Sequence, residues 1–174
     1  MSQSVDVDGL RLTMPVNWLV WKYDDSYFHQ TQFQSFAGGV KAVDAVALAP
    51  DQTLWLIELK DYRQNRRHKQ GSVFDEAARK VRDTLAGLSV ARARADDQQE
   101  RALAEQAMRC GHIRVVLQLA QSGNPHRLFP QVIEPADSDL ELRRAVRQVD
   151  AKPVCAAGSL GQHNKLLPWT TADI

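Results

Sequence analysis

The chain has 174 residues, a formal net charge of +1, 44% apolar residues and 25% charged ones. That length suits one well-cored domain and is short for two. A charge balance this close to zero excludes a protein that grips nucleic acid through a global basic excess, and the apolar fraction excludes a disordered acidic or basic tail. No apolar run approaches the length of a membrane span, and the start of the chain, with Asp6 and Asp8 and no apolar core, does not read as a signal peptide. A cytoplasmic protein with no membrane partner is expected. Cys110 and Cys155 lie far apart without paired spacing, so they read as small packing residues rather than a zinc site or disulfide framework.

In chain order, Val5 to Leu10 and Trp18 to Tyr23 alternate weakly around Pro15 and Asn17 and predict short strands. Ser26 to Phe36 has no clear period. Gly38-Gly39 marks a turn. Two apolar runs follow, Val43-Asp44-Ala45-Val46-Ala47-Leu48 and Leu54 to Tyr62, joined by Ala49-Pro50-Asp51-Gln52-Thr53, whose turn chemistry predicts a hairpin. A basic loop leads to Ser72, an N-cap with Asp75 in the first turn, and Phe74, Ala77, Ala78, Val81, Leu85 and Leu88 recur at helical spacing. A second helix is expected from about 96 to 109, ending at Gly111. Ile113 to Leu119 reads as a buried strand at the centre of a mixed sheet. Ser138 to Glu141 has the pattern of a capping box opening a helix through about Val149, Val154 to Ala157 reads as a last short strand, and the segment after Gly158 as an irregular packed tail.

Three polar side chains stand out in the hairpin. Asp44 lies near the start of one strand and Glu58 near the end of its antiparallel neighbour, and strand alternation puts Glu58, Lys60 and Asp44 on one face. Two carboxylates brought together repel and lose hydration. A divalent cation is the natural compensator, and Mg²⁺, which takes one or two carboxylates and keeps several waters, suits these oxygens. Lys60 would then stand beside the ion to orient a water or to stabilise charge on a phosphate, a set suited to metal-assisted phosphodiester hydrolysis.

Asp44, thirteen intervening residues, then Glu58-Leu59-Lys60 resembles the Asp…(Asp/Glu)-X-Lys signature of the PD-(D/E)XK nucleases, the restriction-endonuclease-like superfamily. Val43 stands where the motif's proline would be. The resemblance implies an α/β fold, a restriction-endonuclease-like mixed sheet flanked by helices, with the family core at about residues 40–120 of a single domain spanning 1–174. It implies catalytic roles for Asp44, Glu58 and Lys60, metal ligation by Asp44, Glu58 and the Leu59 carbonyl, and Mg²⁺ as cofactor with Mn²⁺ as a substitute. The implied function is a Mg²⁺-dependent nuclease, a hydrolase and endonuclease acting on DNA. The alternative is a catalytically silent relative serving as an accessory subunit that binds nucleic acid or protein. Before Glu58 the chain has no Glu, so Asp24 and Asp25, or Gln32 and Gln34 as neutral ligands, are the candidates for a further ligand.

Residues 63–82 hold seven Lys or Arg against two acids. Arg63, Arg66, Arg67, Lys69, Arg79 and Lys80 are the expected nucleic-acid contacts, holding the phosphate backbone in register. Arg79 and Arg82 point away from the apolar stripe, whereas Lys80 sits nearer it and can turn toward the site. The same pattern is compatible with a solvated loop and helix face. A homodimer or accessory proteins are further expected partners. The five histidines share no metal-ligand spacing, and Trp55, within an apolar strand, reads as core.

Overall fold

A computed structural model of the chain describes residues 3–63, 71–122, 133 and 135–174. Its centre is a five-stranded mixed sheet built from β3 (Leu19–Lys22), β4 (Ala45–Leu48), β5 (Thr53–Asp61), β6 (His112–Ala120) and β7 (Val154–Gly158), in that spatial order. The pairs β3–β4 and β4–β5 are antiparallel, while β5–β6 and β6–β7 are parallel. The hairpin between β4 and β5 forms as expected, with the Thr53 amide donating to Asp51 Oδ1 at 3.1 Å and Gln52 at φ 63°. β5 and β6 lie at the middle, and each is flanked by strands on both sides. Their near-continuous apolar sequence follows from burial on both faces.

One face is covered by helices α1 (Val73–Arg94), α2 (Gln98–Arg109) and α3 (Pro135–Val146). The helices and sheet share a core that includes Val46, Leu54, Leu56, Leu88, Leu117 and Leu142. Ser72 caps α1 as its sequence predicts, accepting from the Phe74 and Asp75 amides. Val73, Ala77, Val81, Thr84, Leu88 and Ala91 form the buried side of this helix. Gly87 is needed in mid-helix because a Cβ there would collide with the Tyr23 hydroxyl and lie 3.2 Å from the Phe33 ring. Truncating a fully buried residue such as Leu56 to Ala would cost about 2–5 kcal/mol.

The other face is covered by a small antiparallel sheet of β1 (Ser4–Val7), β2 (Leu10–Thr13) and β8 (Thr170–Asp173), in the order β1-β2-β8. Val7, Leu10 and Leu12 pack there against Ala47, Ile57, Leu59 and Val116. Trp18, Trp55 and Trp169 form an aromatic cluster at this interface, with Trp55 and Trp169 edge to face at 5.5 Å. Trp55 thus packs against core, and the Arg114 guanidinium lies 5.3 Å above its ring.

Three regions depart from the expected elements. Within Ser26 to Phe36, Phe28–Phe33 forms a single π-helical turn whose Tyr27 and Phe28 amides both donate to Glu100 of α2 at 2.8 Å. α3 begins at Pro135, a residue suited to a first helical turn because it lacks an amide hydrogen, so Ser138 falls inside the helix instead of capping it. That helix ends at Val146, three residues before the expected limit. The segment after Gly158 is regular: α4 (Leu160–Leu166) opens with a reciprocal capping box between Ser159 and Gln162, and β8 follows.

Candidate functional site

Asp44 immediately precedes β4, and the register pairs Ala45 with Ile57, which places Asp44 beside Glu58 of β5. α1 fixes the approach to β4: Thr84 Oγ1 accepts from the Val43 amide at 3.0 Å, and Asp83 Oδ2 accepts from the Lys41 amide at 2.9 Å. Asp44 Oδ2 accepts the Leu59 amide at 2.7 Å, tying the two strands together at the site. Leu59 therefore meets Asp44 through its N–H. Its expected role as a carbonyl ligand concerns the C=O of the same residue, which belongs to the next peptide unit.

The structure brings together Asp44, Glu58, Lys60 and Lys80. Lys60 Nζ lies 2.6 Å from Glu58 Oε1, and Lys80 Nζ lies 2.7 Å from Glu58 Oε1 and 3.3 Å from Asp44 Oδ1. Glu58 is only 2% exposed. Two carboxylates thus face two ammonium groups, a balanced cluster at the edge of the α1 core. Lys80 reaches it because position 80 falls beside the buried stripe of Ala77, Val81 and Thr84, so a charge on an apolar helix face was the available sequence signal.

Burial and the Asp44 charge push the Glu58 carboxyl up to about 7, against the pull of Lys80 and Lys60. Burial alone would lower Lys60, but the Glu58 carboxylate overrides it and holds the ammonium above its ordinary range. Both shifts have one meaning: the cluster gains a proton at Glu58 near neutrality before it loses one from Lys60. Asp24 stands close by, its carboxyl raised to about 6 by burial and then by Asp44, and its Oδ1 is buried without a hydrogen-bond partner. Asp25 instead pairs with Lys22 at 2.6 Å. Gln32 lies away from this cluster, its side chain bonded to the Arg94 carbonyl and the Asp96 amide at the turn between α1 and α2. Among the described residues no group of three or more His, Cys, Asp and Glu side chains is placed to hold a metal ion.

Of the expected nucleic-acid contacts, Arg66, Arg67 and Lys69 lie outside the described residues. Arg63 is held by Asp61, through Nε at 2.9 Å and Nη2 at 2.7 Å, and by Asp173 of β8 at 2.7 Å. These two acids raise its guanidinium further. Lys80 belongs to the carboxylate cluster, and Arg79 lies on the outer side of α1, donating to the Asp75 carbonyl.

No protein-family model matches the sequence, and no solved structure matches the chain. A curated protein does: a cysteine–tRNA ligase of Neisseria meningitidis, 36% identical over 100 residues, a stretch of 53% of this chain and 14% of that protein. The chain therefore spans a small part of its relative's length. This similarity overturns the Mg²⁺-dependent nuclease reading, its alternative as a silent nuclease-like subunit, and the endonuclease and hydrolase vocabulary that came with them. The likeness carried by the sequence is to a protein named for joining cysteine to tRNA. A fold and a short motif of acids and lysine do not by themselves specify a reaction.

Proposed function

We propose that this chain is a tRNA-engaging module related to part of an aminoacyl-tRNA synthetase. The observation that carries this reading is the 36% identity over 100 residues with the cysteine–tRNA ligase. A stretch amounting to 14% of that protein supports one module of it, so binding to RNA is proposed here and ligation is not. Arginine supports the reading chemically, because its planar fork suits phosphate oxygens and stacks on exposed bases.

The architecture that presents the module is proposed as restriction-endonuclease-like. Its support is the sheet order β3-β4-β5-β6-β7, with an antiparallel first half and a parallel second half, and the acids and lysine at the end of the central hairpin. Mg²⁺ remains a proposal for Asp44 and Glu58. Two carboxylates suffice for one hard dication that keeps its waters, but Lys80 already occupies the gap between them. An ion there would compete with that ammonium, so weak binding that strengthens when Lys80 is removed is the expected behaviour.

Fluorescence anisotropy with a labelled tRNA, and with a DNA duplex of equal phosphate number as competitor, tests the function. Preferential binding of tRNA, weakening as salt rises, is expected. Equal affinity for both would reduce the interaction to charge alone and reject the proposal.

A further inference from the structure

Outside the carboxylate cluster, a broad concave feature lies on the C-terminal part of α3 and the turn that follows it. It is a trough of ≈770 Å³ lined by Leu140, Arg143, Arg144, Arg147, Gln148 and Ala151. A narrower groove between α1 and α3, lined in part by Arg79, Arg82 and Gln148, adjoins it at Gln148. Arg79 and Arg82 of α1, Arg143 and Arg144 of α3, and Arg147 in the turn that follows α3 therefore border two adjoining grooves. Two of them are balanced, Arg144 by Glu141 and Arg82 by Asp83, both at 2.7 Å. Arg79, Arg143 and Arg147 have no carboxylate partner among the described residues.

From this surface we infer that the α1–α3 face is where an RNA strand lies, its phosphates on Arg79, Arg143 and Arg147. The inference rests on the tRNA reading given above and adds the surface that serves it. The Arg147 amide donates to the Arg143 carbonyl at 3.0 Å in the turn that follows α3, and both side chains line the trough. Three guanidinium groups with no carboxylate partner among the described residues, one in the α1–α3 groove and two in the trough that adjoins it, offer bidentate donors to phosphates without needing base sequence. Leu140 is 49% exposed beside them, an apolar patch against which an unstacked base can rest, and Gln148 offers both a donor and an acceptor where the two grooves meet. Apolar surface between cations suits a strand with exposed bases better than a uniformly charged polymer.

The test compares the wild-type chain with a variant carrying Arg79→Gln, Arg143→Gln and Arg147→Gln, and with a control carrying Lys152→Gln and Lys165→Gln, for binding to a tRNA, to polyuridine and to polyglutamate across a salt series. The triple variant should bind tRNA and polyuridine about tenfold more weakly and lose roughly 2 from its log–log salt slope, about 0.7 for each of the three phosphate contacts released from a single strand. The control should keep the wild-type slope. Wild-type binding to tRNA with an unchanged slope in the triple variant would overturn this surface and leave the tRNA reading standing. Wild-type binding to polyuridine but not to tRNA, with the slope lost in the variant, would keep the surface and sink the tRNA reading. Failure of the wild type on both RNAs, or tighter binding of polyglutamate than of polyuridine, would overturn the surface assignment.

Discussion

The two faces of the central sheet bury polar groups in opposite ways. On the α1 face, the Asp44 and Glu58 carboxyls face the Lys60 and Lys80 amines at 2.6–3.3 Å. On the other face, Gln118, fully buried, is the hub of a neutral network: its Nε2 lies 3.0 Å from His163 Nδ1 and 2.8 Å from Thr171 Oγ1, and its Oε1 accepts from Trp169 Nε1 at 3.3 Å. The neutral network joins β6 to α4 and β8 without a charged member, and leaves His163 Nε2 buried with no hydrogen-bond partner among the described residues. The charged cluster is satisfied only while its charges balance, a contrast that makes it the candidate site and the network a seam.

Removing one charge should expose that difference most strongly. Lys80→Met leaves Asp44 without a cation and Glu58 with one, and should cost about 3–5 kcal/mol in urea denaturation at pH 8. Much of the loss should return with added Mg²⁺ or Mn²⁺, or with Asp44→Asn in the same chain. A Lys80→Met protein as stable as the wild type would mean that the four groups are not coupled.

The two faces should also tilt the pH dependence of stability in opposite directions. Glu58 is raised in the fold from 4.5 to about 7, so the folded state binds more protons than the unfolded state between those values, and stability falls as pH rises through them. Asp24, raised to about 6, acts in the same sense. His163 is lowered to about 4, first by burial, so its face is stable above pH 6.5 and loses stability as pH falls toward 4. Glu58→Gln should remove a contribution of roughly 3 kcal/mol from the upper part of the curve and leave the His163 tilt visible. A curve unchanged by Glu58→Gln would place the titration elsewhere.

Smaller effects are expected in the neutral network. Gln118→Ala leaves the Trp169 indole, Thr171 hydroxyl and His163 ring without their amide partner, at roughly 2–3 kcal/mol, and divalent ions should not rescue it. Asn164 clasps β8 by accepting from the Thr171 amide at 2.7 Å and donating to the Thr171 carbonyl at 3.2 Å. Asn164→Ala should cost about 1 kcal/mol and accelerate hydrogen exchange at Thr171 without unfolding the sheet. Exchange unchanged at that amide would show that β8 is held by its ladder alone.

The elements with strong local signals were legible in the sequence: the hairpin through Pro50, the Ser72 cap, and the apolar strand of β6. The convergence of Asp44, Glu58 and Lys60 followed from strand alternation, because register alone determines which side chains share a face. Lys80 was legible only as a charge near an apolar stripe, since its inward turn depends on the acids supplied by β4 and β5. The π-helical turn at Phe28–Phe33 was hidden because its amides are satisfied by Glu100, more than seventy residues away. α4 and β8 were hidden for a related reason: both are short, and β8 exists by pairing with β2. The nuclease reading failed at a different link, since a short motif on a common type of sheet was asked to name a reaction.

The Gln118 seam also has a consequence in time. Its partners His163, Trp169 and Thr171 lie 45, 51 and 53 residues later in the chain. While the protein is being synthesised, β6 therefore emerges from the ribosome long before anything can satisfy its central amide. The face of β6 that β8 will help to cover remains open for that interval. Such distant pairings slow the final closure and leave an adhesive strand surface during it.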